Sequence, residues 1–292
     1  MHSGEVAMDS YQIKAYAKIN LGLDVLRRLE NGYHEVKMVM QTVGIYDELK
    51  LTRTEAGITV STDKEELPTD DNNLIYKAAR IMMEEYHLKG GIHIHLKKNI
   101  PIAAGMAGGS TDAAATFKGM NRLYDLDCTL EELMRLGVRV GADVPYCVLG
   151  GTALAEGIGE KLTSLNPAPD CYVLVAKPDI NVSTKYVYEH LDAESTWEHP
   201  DIDGMVEAIW EESLQGILDR MGNVLEHVTV KKYPVIHELK NRMRELGALN
   251  SLMSGSGPTV FGIFVNERLA REAFGKMKKE YPKCQVFLTG FN

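Results

Sequence analysis

The chain contains 292 residues, of which 45% are hydrophobic and 25% are charged, the composition of a globular protein with a substantial core. Its formal net charge of −9 argues against general binding to nucleic acid or to an anionic membrane surface, so we expect neither as a partner. Its length favours two domains, and no apolar run is long enough to span a membrane. The four cysteines lie far apart without a C-x-x-C pair, which predicts reduced thiols in a cytoplasmic protein.

The first predicted element is a strand. Residues 1–10 before it lack a basic segment followed by an apolar core, so we expect a flexible extension and no signal peptide. From Ile13 to Val25 apolar residues alternate with polar ones, which is typical of a strand with one buried face. Lys18 and Asn20 are two residues apart, so they lie side by side on its polar face.

A hairpin follows. The Asn-Gly pair at residues 31–32 predicts a turn, and the run from Glu35 to Val43 predicts a second strand. Tyr33 and His34 lie between the turn and that strand. The hairpin therefore carries a phenol and an imidazole next to its turn.

The following hundred residues alternate between helix and strand signals. Asn72 or Asn73 is positioned to cap a helix. Residues 91–98 alternate as a strand, and the Thr129–Glu132 spacing predicts the capping box of another helix. The apolar run from Tyr146 to Ala155 predicts a further strand.

The most informative segment is the glycine- and alanine-rich run at residues 101–115. Its glycines allow the backbone to approach an anion, and a helix starting there, predicted to end near Tyr124, would point free N–H groups at it. Ser110 or Thr111 is expected to cap the helix and to offer a hydroxyl to a phosphate or a metal. A glycine-rich turn before an ordinary helix is the structural alternative.

The second half begins at the clearest boundary signal, the proline-containing segment 166–170. We predict an N-terminal domain over residues 11–165 and a C-terminal domain over residues 166–292. A second glycine-rich turn lies at residues 253–259, before an apolar strand. Strands and helices are mixed with antiparallel hairpins, so the predicted fold class is α+β in two layers.

The loop is not accompanied by a Walker or dinucleotide-binding motif. A phosphoryl transferase needs, besides a phosphate-binding loop, a cation near the transferred group and a carboxylate at the acceptor hydroxyl. Lys18 suits the first role. Asp143, in the turn of residues 141–145, suits the second. Taken alone, Lys18 also fits a solvated strand lysine, and Asp143 fits a turn residue.

Five segments in order resemble the GHMP kinase superfamily of galactose, homoserine, mevalonate and phosphomevalonate kinases. They are Ala17-Lys18-Ile19-Asn20-Leu21, Gly32-Tyr33-His34, residues 101–115, Gly141-Ala142-Asp143-Val144-Pro145 and Met253-Ser254-Gly255-Ser256-Gly257. The two glycine-rich loops are common to the superfamily. The other three are more specific, and they resemble the branch that phosphorylates a cytidine diphosphate-linked methylerythritol.

The resemblance implies a two-domain architecture, with an N-terminal ribosomal-S5-like domain, a C-terminal ferredoxin-like domain and an active site in the cleft between them. It also implies transfer of a phosphoryl group from ATP, with Mg²⁺, to the 2-hydroxyl of the methylerythritol moiety in the non-mevalonate route to isoprenoid precursors. The expected partners are these small molecules, in a monomer or a homodimer.

The resemblance further implies roles for individual residues. Asp143 would be the general base, and Lys18 would keep it ionised and stabilise the transferred phosphoryl group. The expected ATP-binding residues are Pro101, Ile102, Ala103, Ala104, Gly105, Met106, Ala107, Gly108, Gly109, Ser110, Thr111, Lys98 and Asn73. The expected substrate-binding residues are Asn20 at the methylerythritol, His34 at the cytosine edge, Tyr33 and Tyr188 on the two faces of the ring, and Thr184.

Three positions depart from the superfamily pattern. Ala104 and Ala107 replace glycines that many members have, and Asp112 places an acid where it would repel ATP unless it turns away or faces Mg²⁺. The metal ligands remain open. Two alternatives are another GHMP kinase, of mevalonate or homoserine type, and a nucleotide-binding sensor without catalysis. Tyr33-His34 argues against the first, and the presence of both Lys18 and Asp143 argues against the second.

Overall fold

The computed structural model describes residues 9–191 and 198–292, so most of the expected N-terminal extension lies outside the described residues. The chain forms two compact units whose segments alternate along the sequence. Among described residues, the first unit comprises residues 9–16, 46–100 and 108–149, and the second comprises 17–45, 101–107, 150–191 and 198–292. Both units mix strands with helices, which confirms the predicted α+β class.

The strands, in chain order, are β1 Ser10–Arg28, β2 His34–Thr54, β3 Gly57–Thr62, β4 Gly91–Lys97, β5 Thr152–Glu156, β6 Lys161–Ser164, β7 Tyr172–Lys177, β8 Gly222–Asn223, β9 Asn250–Met253, β10 Val260–Phe264 and β11 Gln285–Gly290. The helices are α1 Leu74–Glu85, α2 Gly108–Tyr124, α3 Leu130–Val138, α4 Val144–Leu149, α5 Thr184–Leu191, α6 Ile202–Trp210, α7 Leu214–Asp219, α8 Glu226–Lys232, α9 Val235–Glu245 and α10 Glu267–Glu280. The long strands β1 and β2 contribute residues to both units.

The first unit places helices on a sheet. Strand β3 runs parallel to β4, and β4 pairs antiparallel with the segment Glu48–Thr54 of β2. Helices α1 and α2 pack on each other, and α3 and α4 pack beside α2. A Cβ atom at Gly119 of α2 would lie 2.9 Å from both δ-methyl groups of Leu51, so this glycine lets the helix approach β2 closely. The predicted capping box at Thr129 and Glu132 is present at the start of α3.

The predicted strand over residues 146–155 is only half right. Residues 144–149 form helix α4, and a strand, β5, begins at Thr152. A short apolar run has no periodicity that distinguishes a buried helix from a buried strand. Pro145 is tolerated because it lies in the first turn, and Gly150, with a φ of 75°, ends the helix in the left-handed conformation.

The second unit contains two groups of strands. Strand β1 pairs in parallel with β8 at Gly22 and Leu23, and β2 pairs antiparallel with β5, which pairs with β6. A separate antiparallel sheet has the order β11-β7-β10-β9. Helices α9 and α10 pack on this sheet, and every residue of β10 is buried.

Strand β1 differs from its prediction in one respect that matters for the site. Alternation predicted one buried and one polar face, but every residue from Ala17 to Val25 is buried. Lys18 is 5% exposed and Asn20 is fully buried. The polar residues on this part of the strand therefore face other parts of the protein and not bulk solvent.

The sequence predicted reduced cysteines and no segment that spans a membrane. None of the four cysteines forms a disulfide bond with another described residue. None of the helices in the described ranges combines the length and the apolar character that a membrane crossing requires.

Candidate active site

In the second unit, β1 presents a buried lysine. The Nζ atom of Lys18 donates a hydrogen bond of 2.8 Å to Oδ1 of Asn20, and Nδ2 of Asn20 contacts the sulfur of Met38 at 3.3 Å. Within the described part of the chain, the ammonium of Lys18 contacts no carboxylate. Burying a cation without a counter-ion costs several kcal/mol. An anionic ligand at Lys18 would remove that cost.

The two glycine-rich loops meet beside this lysine. The hydroxyl of Ser254 donates to the carbonyl of Gly105 at 2.9 Å, and the backbone N–H of Lys18 donates to the carbonyl of Met106 at 3.2 Å. A Cβ atom at Gly105 would lie 2.4 Å from the carbonyl oxygen of Ser254, so no side chain fits at this position. The φ of Gly105 is 69°, which also favours glycine.

Asn223 holds the second loop in place. Its side-chain amide donates to the carbonyl oxygens of Met253 and Gly255, both at 2.8 Å, while its Oδ1 accepts from the N–H of Leu225. All of its hydrogen-bonding atoms are buried. Because the amide bonds to two carbonyls of one turn, it fixes the conformation of that turn.

The predicted substrate residues on α5 lie next to the same loop. The hydroxyls of Thr184 and Ser256 are 2.9 Å apart. One helical turn further on, the ring of Tyr188 lies 5.0 Å from the ring of His34, with an interplanar angle of 39°. His34 is 9% exposed, whereas Tyr33 is 59% exposed. An aromatic surface is thus formed by His34 and Tyr188, and the placement of Tyr33 on the other face of a cytosine ring stays a prediction.

In the first unit, α2 begins before Ser110 and Thr111, the two residues predicted to cap it. The helix starts at Gly108, so Ser110 and Thr111 lie within its first turn and not at its cap, and that expectation was wrong. Thr111 is 3% exposed, and its hydroxyl donates to the carbonyl of Tyr16 at 2.6 Å. Its hydroxyl is therefore engaged in anchoring the helix to β1. Ser110 is half-buried and Gly109 is exposed.

Lys98 and Asp112 form a buried group with a residue that the sequence prediction missed. Nζ of Lys98 lies 2.5 Å from Oδ2 of Asp47 and 2.6 Å from Oδ2 of Asp112. Burial alone would lower the pKa of Lys98, but the carboxylates of Asp112 and Asp47 outweigh it and raise that pKa. Burial raises the pKa of Asp112 well above its usual range, although Lys98 opposes this shift. Lys98 is consequently a charged ammonium paired with two carboxylates.

Asn73 and Asp143 also belong to the first unit. Of the two candidates that the sequence offered, Asn73 caps α1, because its Oδ1 accepts from the N–H of Ile75 at 2.9 Å while its Nδ2 donates to the carbonyl of Pro68. Asp143 directly precedes α4, and its carbonyl accepts from the N–H of Cys147 at 3.0 Å. Its half-buried carboxylate has no hydrogen-bond partner among the described residues, so it is available to a ligand.

Two site residues, Asp47 and Asn223, were absent from the sequence prediction. For Asp47 the sequence does contain a signal. Asp47 alternates with Ile45 and Leu49 along β2, so it lies on the same face of the strand as these apolar residues, and it is fully buried. An acid on the apolar side of a strand indicates a buried partner. Asn223 lies in the two-residue strand β8, which is too short to leave a pattern in the sequence, so nothing there distinguishes it from a loop asparagine.

The Mg²⁺ ion that the resemblance implies needs oxygen ligands. The described residues contain no group of three or more His, Cys, Asp or Glu side chains that would hold a metal ion by itself. Mg²⁺ is commonly held by substrate phosphates and water with one or two protein oxygens. The hydroxyl of Ser110, half-buried in the first turn of α2, is one protein oxygen that would suit such an ion.

Comparison with known proteins defines the class. The chain matches the family models for the GHMP kinase N-terminal domain at residues 73–151 and for the GHMP kinase C-terminal domain at residues 205–283. It superimposes on a homoserine kinase from Cytophaga hutchinsonii with a TM-score of 0.81 at 21% identity, over 99% of this chain and 96% of that one. At this level of identity, the superposition on the homoserine kinase shows that the two proteins share a fold. The class is that of the GHMP kinases.

More similar relatives specify the branch. The chain is 57% identical over 97% of its length to 4-diphosphocytidyl-2-C-methyl-D-erythritol kinase of Lachnospira eligens, and 51% identical over 97% to that of Lachnoclostridium phytofermentans, with 98% of each relative covered. A crystal structure of 4-(cytidine 5'-diphospho)-2C-methyl-D-erythritol kinase superimposes with a TM-score of 0.83 at 32% identity, over 97% of this chain and 99% of that one. The chain belongs to the 4-diphosphocytidyl-2-C-methyl-D-erythritol kinase family. It is an ATP-dependent phosphotransferase with a hydroxyl acceptor, and the alternatives of a non-catalytic sensor or another GHMP kinase are not favoured.

Proposed function

We propose that this protein transfers the γ-phosphoryl group of ATP to the 2-hydroxyl of 4-diphosphocytidyl-2-C-methyl-D-erythritol, in the non-mevalonate route to isoprenoid precursors. The observation that carries the proposal is Lys18, a buried cation whose hydrogen-bond partner among the described residues is the neutral amide of Asn20, next to two glycine-rich loops that contact each other. The names of the relatives support the choice of substrate.

Asp143 is the proposed general base. Its carboxylate is free of hydrogen bonds among the described residues, and the short helix behind it keeps its backbone rigid. A base in this role accepts the proton of the acceptor hydroxyl as the bond to phosphorus forms. Lys18 is the proposed cation that stabilises charge on the transferred phosphoryl group, since catalysis of this reaction depends on positioning and electrostatics.

ATP is proposed to bind along residues 101–111. Gly109 is exposed and leaves the backbone accessible there, and the N-terminal end of α2 offers N–H groups and the positive end of its dipole. Mg²⁺, brought by ATP, supplies further neutralisation of the phosphates when bound. Lys98 and Asn73 are proposed to shape this site through the segments that they hold.

The cytidine is proposed to bind at the His34–Tyr188 surface. His34 offers a ring nitrogen to the edge of cytosine, and Tyr188 offers a face for stacking, with Tyr33 on the opposite side. Thr184 lies one turn before Tyr188 on α5. Asn20, bonded to Lys18, is proposed to contact the methylerythritol moiety.

Three coarser features complete the proposal. We place the domain boundary at residues 165–166, with an N-terminal domain over 11–165 and a C-terminal domain over 166–292. Cysteines that form no disulfide bond among the described residues support a reducing compartment, the cytoplasm. The assembly is a monomer or a homodimer.

A coupled assay for ADP release tests the proposal. With ATP and Mg²⁺ we expect turnover with 4-diphosphocytidyl-2-C-methyl-D-erythritol and none with mevalonate or homoserine. In Asp143→Asn the shape is kept but the proton acceptor is lost, so turnover should fall by roughly 10²–10⁴-fold while ATP binding is retained. Turnover with mevalonate or homoserine instead would indicate another GHMP kinase. ATP binding without turnover on any acceptor would indicate a sensor, and near-native turnover of Asp143→Asn would remove Asp143 from the base role.

A further inference from the structure

The strongest unassigned feature is the buried triad of Asp47, Lys98 and Asp112. Their side chains are exposed by 0%, 4% and 4%. Lys98 follows β4 and precedes the glycine-rich loop, whereas Asp112 lies just beyond the first turn of α2, after the loop. The ammonium of Lys98 thus joins a point before the loop to a point after it, at 2.6 Å from the Asp112 carboxylate.

Asp47 adds a second connection. Its Oδ2 bonds to Lys98, and its Oδ1 accepts two backbone hydrogen bonds, from Asn99 at 2.6 Å and from Ile100 at 2.7 Å. These are the last residues before Pro101, where the loop begins. Hydrogen bonds that involve an ionised group are about twice as strong as neutral ones. Asp47 therefore holds both the entry segment of the loop and the lysine that reaches α2.

We propose that Asp47 is a positioning residue for ATP binding, which acts by fixing the two chain ends of the glycine-rich loop through the buried triad. This inference rests on the proposed function, since it takes ATP as the ligand of the loop. Asp47 does not touch ATP in this account. It works through the backbone of Asn99 and Ile100 and through Lys98.

The triad also accounts for the acid at position 112. A Cβ atom at Gly108 would lie 3.0 Å from Nζ of Lys98, so the ammonium lies directly beneath the first residue of α2. It is between Asp112 and Asp47, and Oδ1 of Asp112 is buried without a partner. Asp112 is thus turned away from solvent and neutralised by Lys98 at the position where a free acid would repel phosphate.

Two variants separate a positioning role of the triad from a simple effect of its charge on ATP binding. Asp47→Asn keeps an acceptor for the backbone N–H groups but loses the ion pair, so ATP affinity in calorimetry should fall roughly 10- to 100-fold, the range for a hydrogen bond to a charged group. The KM for the cytidine substrate should stay unchanged. Asp112→Ala leaves Lys98 paired with Asp47 and removes an acidic group near the loop, yet positioning predicts ATP affinity about 2- to 10-fold weaker. Charge alone predicts binding that is unchanged or tighter.

A matched control and a ligand-free measurement complete the design. Glu48→Gln removes an exposed carboxylate that bonds to Lys97 at 3.3 Å on the same two strands, and its ATP affinity should equal that of the wild type. Hydrogen exchange without ATP should be faster at amides 99–110 in Asp47→Asn. Unchanged exchange there, or unchanged or tighter ATP binding in a folded Asp112→Ala, would overturn the positioning role. Wild-type protein that binds no ATP would instead overturn the proposed function, and the exchange data would still decide on the triad.

Discussion

Two lysines in this chain are buried to almost the same extent in opposite surroundings. Measured over the whole residue, Lys18 on β1 is 5% exposed and Lys98 after β4 is 7% exposed. Lys18 donates to the neutral amide of Asn20, whereas Lys98 lies between the carboxylates of Asp47 and Asp112. Both side chains contribute one positive charge, but within the described ranges only Lys98 has that charge neutralised by carboxylates.

The difference separates a binding group from a structural one. A neutralised buried ammonium has little attraction left for a phosphate, and its carboxylates would be destabilised without it. An ammonium bonded only to an amide keeps its field for a ligand, and it costs the folded protein stability until the ligand arrives. Lys18 and Lys98 should therefore respond to the same substitution in different ways.

The largest expected effect is on stability in Lys98→Met. Removing the cation leaves Asp47 and Asp112 buried and unpaired, so the free energy of unfolding should fall by about 3–5 kcal/mol. Urea denaturation monitored by circular dichroism measures this change. Lys97→Met is the control, because its exposed pair with Glu48 should contribute about 1 kcal/mol or less. Equal destabilisation of both variants would show that Lys98 is no more important to the fold than a surface lysine.

Lys18→Met should produce the opposite profile. No carboxylate is left unpaired, so the unfolding midpoint should be unchanged or higher, while kcat should fall roughly 10²–10³-fold, as for the loss of one group that stabilises transition-state charge. Steady-state kinetics with both substrates varied measure kcat and KM separately. An effect confined to KM would make Lys18 a ground-state contact. Loss of stability comparable to that of Lys98→Met would remove the contrast between the two lysines.

The smallest expected effect concerns the loop that connects the two regions along the chain. Ala107 has a φ of 56°, in the left-handed region, whereas Ala104 is not among the residues with positive φ. Ala107→Gly should raise the free energy of unfolding by up to about 1 kcal/mol, because glycine adopts this conformation without strain. Ala104→Gly adds freedom to the unfolded chain and removes a buried methyl group, so it should lower the free energy of unfolding by about 1–2 kcal/mol. Thermal unfolding of both variants gives the two signs, and the same sign in both would contradict the argument.

Much of this molecule follows from local sequence patterns. The α+β class, the capping box of α3, the Asn73 cap and the extent of α2 to Tyr124 depend on residues close together in the chain, so they can be read from spacing. Residues 146–149 were wrongly predicted to be a strand, because a short apolar run fits a buried helix as well as a buried strand. The catalytic and binding roles were proposed from motifs, and they stay proposals.

What the sequence by itself determined is which residues carry charge and hydrogen-bonding groups, and in which order. Only the tertiary structure decided which charges remain available. Lys18 and Lys98 look equivalent in the sequence, since each is a lysine in or next to a strand. Asp47 is 51 residues away from Lys98, and no local pattern can report a partner at that separation. The electrostatic state of a buried group is set by the neighbours that folding places around it, and long-range pairing of strands β2 and β4 places them here.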